Sequence, residues 1–223
     1  MNGKNPQRRP AARRHGLLLV AAMLTVACGG RNEWLNVPLP ERGAVEPPAP
    51  LAVDAPRVRI RTSVGDVVVA LYPEYAPLAV ENFLRYVDDG FYDGTIVHRV
   101  EPESPGPPVI QGGGFTPGLE PKPTRGPIRG EADNGLYNVR GAVAMARSSD
   151  PDSATSQFFI DYLEARGLDH GPGGYGYTVF GVVVEGMEVV DRITMVPVKP
   201  APGTKLTRVP MIDIVIESVS REP

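Results

Sequence analysis

Between Asn138 and Ile160 the chain reads NVRGAVAMARSSDPDSATSQFFI, and this stretch limits the fold more than any other. A Gly-flanked apolar run, Gly141 to Ala146, has the length of a strand. A polar loop of Ser, Asp and Pro follows, and a second short apolar run, Phe158 to Ile160, closes the stretch. Turn residues between two strand-like runs predict two strands joined by a long surface loop. Gln157 and Phe159 are two residues apart, so a strand holds them on one face. An amide and an aromatic beside Met145 suit ordinary core. They equally suit the wall of a peptide groove, with the amide reading backbone and the ring holding an apolar side chain.

The rest of the chain supplies the partners for these strands. Val58 and Ile60 alternate with Arg57, Arg59 and Arg61, which predicts a half-buried strand. Thr62 to Gly65 makes a turn, and Val67, Val69 and Leu71 continue as the second arm of a hairpin. Pro77 opens a helix whose inward face is Val80, Phe83, Leu84 and Val87, and Gly90 ends it. A shorter helix is predicted over 185–193, with Met187, Val190 and Ile193 inward, and a last strand over 211–217. The 25 Gly and 25 Pro among 223 residues cut the remainder into short pieces. Many short strands with two helices predict a mainly β protein, a closed barrel with helical lids.

The ends of the chain read differently. Arg8, Arg9, Arg13 and Arg14 precede an apolar run, Leu17 to Ala27, that is too short to span a bilayer. Residues 1–27 are therefore predicted to be a signal peptide. The sole cysteine, Cys28, stands directly after it in a context that resembles the lipobox of bacterial lipoproteins, so acylation of Cys28 is expected. Cleavage by the ordinary signal peptidase is the alternative. Residues 28–56 carry Pro38, Pro40, Pro47, Pro48, Pro50 and Pro56 with no sustained period. At roughly 3 Å per residue such a segment is expected to be a membrane tether reaching up to about 80 Å. The globular domain is then expected over 57–220. Loss of the leader removes five Lys/Arg and no acids, taking the formal charge from −3 to −8, and no nucleic-acid surface is expected. Past His15 only His98 and His170 remain, and no metal-ligand spacing appears. Gly112 to Gly114 lacks the Gly-Lys-Ser/Thr of a phosphate loop.

Several short motifs fall in one order: His98-Arg99-Val100, Gln111-Gly112-Gly113-Gly114-Phe115, and Glu131-Ala132-Asp133-Asn134-Gly135-Leu136. Gly141 to Arg147, Ser156-Gln157-Phe158-Phe159-Ile160, Leu168-Asp169-His170-Gly171 and Val179-Phe180-Gly181 complete the series. Over about Val58 to Ser218 the chain resembles the cyclophilins, which are peptidyl-prolyl cis-trans isomerases, in a form closest to the bacterial periplasmic branch. The resemblance implies a closed eight-stranded antiparallel barrel capped by two helices, with the substrate groove on its outer face. It implies that Arg99 is the catalytic arginine, and that Gln111 and Gln157 orient it and the substrate backbone. Phe159, Met145 and Leu168 match apolar residues in and around the proline pocket, and Ala146 matches the residue whose backbone pairs with the peptide. Arg147 stands where many relatives carry Asn, and Tyr177 where many carry His. Pro108 and Val109 stand where relatives place Phe and Met, and Gly167 replaces an aromatic, so a pocket with less wall opposite Phe159 is expected.

The chemistry implied is undemanding. Rotation about an Xaa–Pro bond must break amide resonance against a barrier of about 18–20 kcal/mol, without nucleophile or base. A dry pocket and a donor for the prolyl nitrogen suffice. No cofactor or metal is expected. The expected function is isomerisation of Xaa–Pro bonds in exported, unfolded chains by a lipid-anchored monomer in a bacterial envelope. The alternatives are a prolyl-peptide-binding chaperone with weak catalysis and a structural envelope lipoprotein that reuses the fold.

Overall fold

Alternation decides the first strand, and burial on both faces the second. In β1 (Arg57–Thr62) Val58, Ile60 and Thr62 are buried while Arg57 and Arg61 stay outside, and β2 (Gly65–Leu71) folds back on it in register from Arg57↔Ala70 to Thr62↔Gly65. The structure, a computed structural model, describes residues 33–102 and 106–223. The expected signal peptide over 1–27 and the acylation of Cys28 lie outside the described residues. Ahead of residue 37 the described part is a single 3-10 turn, Glu33–Asn36.

Six more strands complete a barrel: β3 (Thr95–Val100), β4 (Val109–Gly112), β5 (Ala142–Met145), β6 (Phe158–Asp161), β7 (Val179–Glu185) and β8 (Ile214–Arg221). They close a barrel in the order β1-β8-β3-β4-β6-β5-β7-β2, and every neighbouring pair is antiparallel. Closure leaves no unpaired edge, and bulges at Arg61/Thr62, Val68/Val69, Val97/Arg99 and Val143/Ala144 supply the bends a barrel needs. The interior is filled by Ile60, Val67, Ile110, Phe158, Ile160 and Ile216 around an apolar void of about 20 Å³.

Two helices cover the open ends. Along α1 (Pro77–Asp88) Val80, Phe83 and Val87 are buried as the period predicts, joined by Asn82 and Tyr86, whereas Leu84 is half-buried. Phe83 packs its ring against Tyr92, Phe158 and Phe180 at centroid distances of 5.2, 5.6 and 5.1 Å. The Glu131 carboxylate accepts from the Leu78 and Ala79 amides at 3.1 and 3.0 Å, satisfying donors that the first turn cannot. The second helix, α2 (Met187–Ile193), buries Val190 and Ile193. The last strand begins at Ile214, three residues later than the alternation of isoleucines predicts. Val209–Pro210 pairs instead with Val198–Lys199 in a small ribbon, and Met211 is turned out to solvent.

The Pro-rich stretch departs further from expectation. Residues 37–56 belong to the same compact unit as the barrel rather than standing off as a free tether. Val45, Ala49 and Leu51, spaced between the prolines, pack on an outer-wall cluster that includes Tyr72, Ala142 and Val182. The Val45 methyl lies 2.7 Å from where a Cβ on Gly141 would stand, and Gly141 has φ +86°, so this seat requires glycine on both counts. Tyr72 donates its hydroxyl to the Ala49 carbonyl at 2.9 Å. Arg42 donates to Asp191 Oδ1 at 2.8 Å, and Arg140 grips the same carboxylate with two bonds of 2.9 and 2.7 Å. A strap of this kind needs no ladder hydrogen bonds, which prolines cannot supply, only apolar seats and an ion pair.

Candidate active site

Register brings the site together. Cross-strand partners run Arg99↔Gln111↔Phe159↔Ala144 over β3, β4, β6 and β5, so alternation points all four side chains out of the barrel in one row. The neighbouring row, Gly112↔Phe158↔Met145, faces inward. Met145, expected at the proline pocket, is 2% exposed and stands in this inward row beside Phe158, which lines the interior void. It packs the barrel instead of facing a peptide, because one residue of offset on a strand reverses the face.

A hydrogen-bond relay crosses the outer row. Arg99 Nη1 donates to Gln111 Oε1 at 3.2 Å, and Gln111 Nε2 donates to Gln157 Oε1 at 2.9 Å. The direction of this relay commits the carbonyl end of Gln157 and leaves its amide nitrogen as a donor. Gly114 makes room for it, since a Cβ there would fall within 2.6 Å of the Gln157 side chain. On its other edge Arg99 donates from Nε to Glu101 Oε1 at 2.8 Å. Sequence reasoning missed Glu101, which lies two residues beyond Arg99, just past the end of β3.

Apolar groups surround Phe159, which is 3% exposed. Val109 belongs to the same packed cluster, Leu168 lies against it from the 3-10 turn Arg166–Leu168, and the Tyr177 ring meets Phe159 edge-on at 5.5 Å. Pro108 is buried at the start of β4, where its carbonyl accepts from the Tyr162 amide at 3.0 Å. Arg147 stacks its guanidinium on Tyr177 at 4.5 Å and donates twice to the Gly176 carbonyl, at 2.9 and 2.7 Å, so it braces the tyrosine. The Ala146 amide donates to the Gln157 carbonyl at 2.9 Å. A Cβ on Gly167 would meet nothing within 4 Å, so the wall is open there.

His98 is enclosed beneath the row, with its ring edge-on to Phe115 at 4.7 Å. Burial pulls its pKa down to about 4, so it is neutral at physiological pH. On the same outer face as Val109, Asp161 is fully buried, and burial, with the Asp169 charge, pushes its carboxyl well above the ordinary range. An arginine and two amides beside an aromatic recess can bind a peptide and offer hydrogen bonds.

Comparison with known proteins agrees with this geometry. Residues 57–221 match the family model described as cyclophilin type peptidyl-prolyl cis-trans isomerase/CLD. The chain is 50% identical over 149 residues to peptidyl-prolyl cis-trans isomerase A of Dickeya dadantii, covering 67% of this chain and 76% of the relative. It is 45% identical over 168 residues to peptidyl-prolyl cis-trans isomerase B of Escherichia coli, covering 73% and 98%. Among solved structures it resembles a Cryptosporidium parvum cyclophilin type isomerase crystallised in the presence of the dipeptide ala-pro, with TM-score 0.62 and 28% identity over 75% of this chain and 99% of that one. A family match from the first barrel strand to the last means that the chain belongs to the cyclophilin-type peptidyl-prolyl cis-trans isomerases.

Proposed function

We propose that the Arg99–Gln111–Phe159 row is where this isomerase twists Xaa–Pro bonds, in polypeptides exported to a bacterial cell envelope and still unfolded. The relay that fixes Arg99 beside the Phe159 recess carries the proposal. The prolyl ring lies against Phe159, with Val109, Leu168 and Tyr177 around it, and the Gln157 amide holds the neighbouring backbone. In the planar amide the prolyl nitrogen has no lone pair to offer. As the bond twists the lone pair returns, and a guanidinium N–H donates to it. This bond exists only in the twisted state, so it lowers the barrier without tightening the ground state.

Arg99→Ala is expected to lower kcat/KM for a short Xaa–Pro peptide by roughly tenfold or more, about 1.4 kcal/mol of barrier, with thermal stability almost unchanged. A folded variant of undiminished rate would remove Arg99 from the chemistry. The exported location rests on residues 1–28, whose composition is that of a leader ending at a lipid-accepting cysteine.

A further inference from the structure

We infer that Glu101 is a positioning residue for the isomerisation: its carboxylate holds the Arg99 guanidinium so that the remaining donors face the groove. The inference rests on the reading of Arg99 as donor to the prolyl nitrogen.

Arg99 and Glu101 are two residues apart at the end of β3, and Nε meets Oε1 at 2.8 Å. An exposed ion pair on a flexible arm would hold nothing in place. This one differs on the acid's side. The Glu101 side chain is 12% exposed, against 38% for Arg99. Its backbone is pinned at both ends: the N–H donates to the Val109 carbonyl at 2.9 Å, and the carbonyl accepts from the Tyr162 hydroxyl at 2.8 Å. Gly106 lies close against the carboxylate, since a Cβ on it would stand 3.0 Å from Oε2. Glu101 is thus a fixed acceptor presented to a partly exposed arginine.

A guanidinium is a rigid planar fork of five N–H donors. One acceptor leaves it free to swing, whereas two define its plane. Gln111 takes Nη1 and Glu101 takes Nε, so the second terminal nitrogen keeps its donors for a peptide. A donor aimed before the bond twists needs no reorganisation at the moment of reaction. A neutral amide accepts from Nε as a carboxylate does, so Glu101→Gln separates aim from charge.

The test is a double-mutant cycle in the full chain, assayed on a short Xaa–Pro peptide alongside thermal unfolding. Glu101→Ala is expected to lower kcat about tenfold with KM changed by less than about twofold, and Glu101→Gln to recover most of the loss, a tenfold change being about 1.4 kcal/mol. In an Arg99→Ala background the Glu101→Ala change is expected to have no further effect. The same tenfold loss in both backgrounds would overturn the inference, because Glu101 would then be acting through the fold. A fully active Glu101→Ala beside an impaired Arg99→Ala would overturn it while sparing Arg99. A fully active Arg99→Ala would overturn the reading of Arg99, and this inference with it.

Discussion

Asp161 brings a carboxyl to a place where nothing offsets its charge. It follows Ile160 on β6, pairs with Val109, and neither of its oxygens has a hydrogen-bond partner among the described residues. Burial first, and the Asp169 charge second, hold the proton on it in the folded chain. The unfolded chain releases that proton near the ordinary value of 3.8. Above that pH the folded state binds more protons than the unfolded one, so this group's contribution to stability falls as pH rises. Asp161→Asn keeps the shape and removes the titration. It is expected to unfold several degrees higher than wild type at pH 8, an advantage that shrinks toward pH 4. Equal unfolding temperatures at both pH values would show that the carboxyl is not desolvated. His98 works in the opposite direction. With its folded value near 4 against 6.5, it contributes stability above pH 6.5 that is lost as pH falls toward 4, at about 1.4 kcal/mol per unit.

At the scale of elements, the strap over 37–56 is held by one carboxylate shared between two arginines. Asp191 and both guanidinia are nearly enclosed, so removing the acid strands two buried cations, which costs about 3–5 kcal/mol. Asp191→Ala is expected to lose about that much in chemical unfolding. Arg42→Ala, which leaves the two-bonded Arg140 pair in place, is expected to lose less than half of it. Equal losses would mean that the strap and the barrel do not share the charge. A chain begun at residue 57 should likewise be less stable than one begun at 37, since the seats of Val45, Ala49 and Leu51 would meet water. The hairpin and both helices were legible in the sequence because each announces itself by local period and by Gly or Pro at its ends. The site row was legible only through motif order, since no local pattern shows that Arg99, Gln111 and Phe159 share a row. The strap was not legible at all. A Pro-rich run with no period reads the same free or docked, and its seats at Tyr72, Gly141 and Asp191 lie far along the chain. Met145, for which the sequence left core and groove open, is decided for the core by register, since its spacing from Phe159 becomes a face only once register is known.

For the molecule as a whole, the family fixes the reaction, while location rests on Cys28. Full-length chain expressed in bacteria is expected to carry acyl mass on an N-terminal Cys28, and Cys28→Ser to lose it. Mass spectrometry that finds a mature N-terminus elsewhere, without lipid, would end the proposal of an anchor. The docked strap then changes what such an anchor does. With 37–56 laid on the barrel, an anchor at Cys28 would have nine residues for its leash, and nine residues reach at most about 30 Å even when fully extended. A tether free as far as residue 56 would reach about 80 Å. The volume an enzyme can sweep grows as the cube of its leash, so the shorter one confines the search about twentyfold. Such an isomerase would find its clients by lateral diffusion along the bilayer, meeting each chain where it emerges.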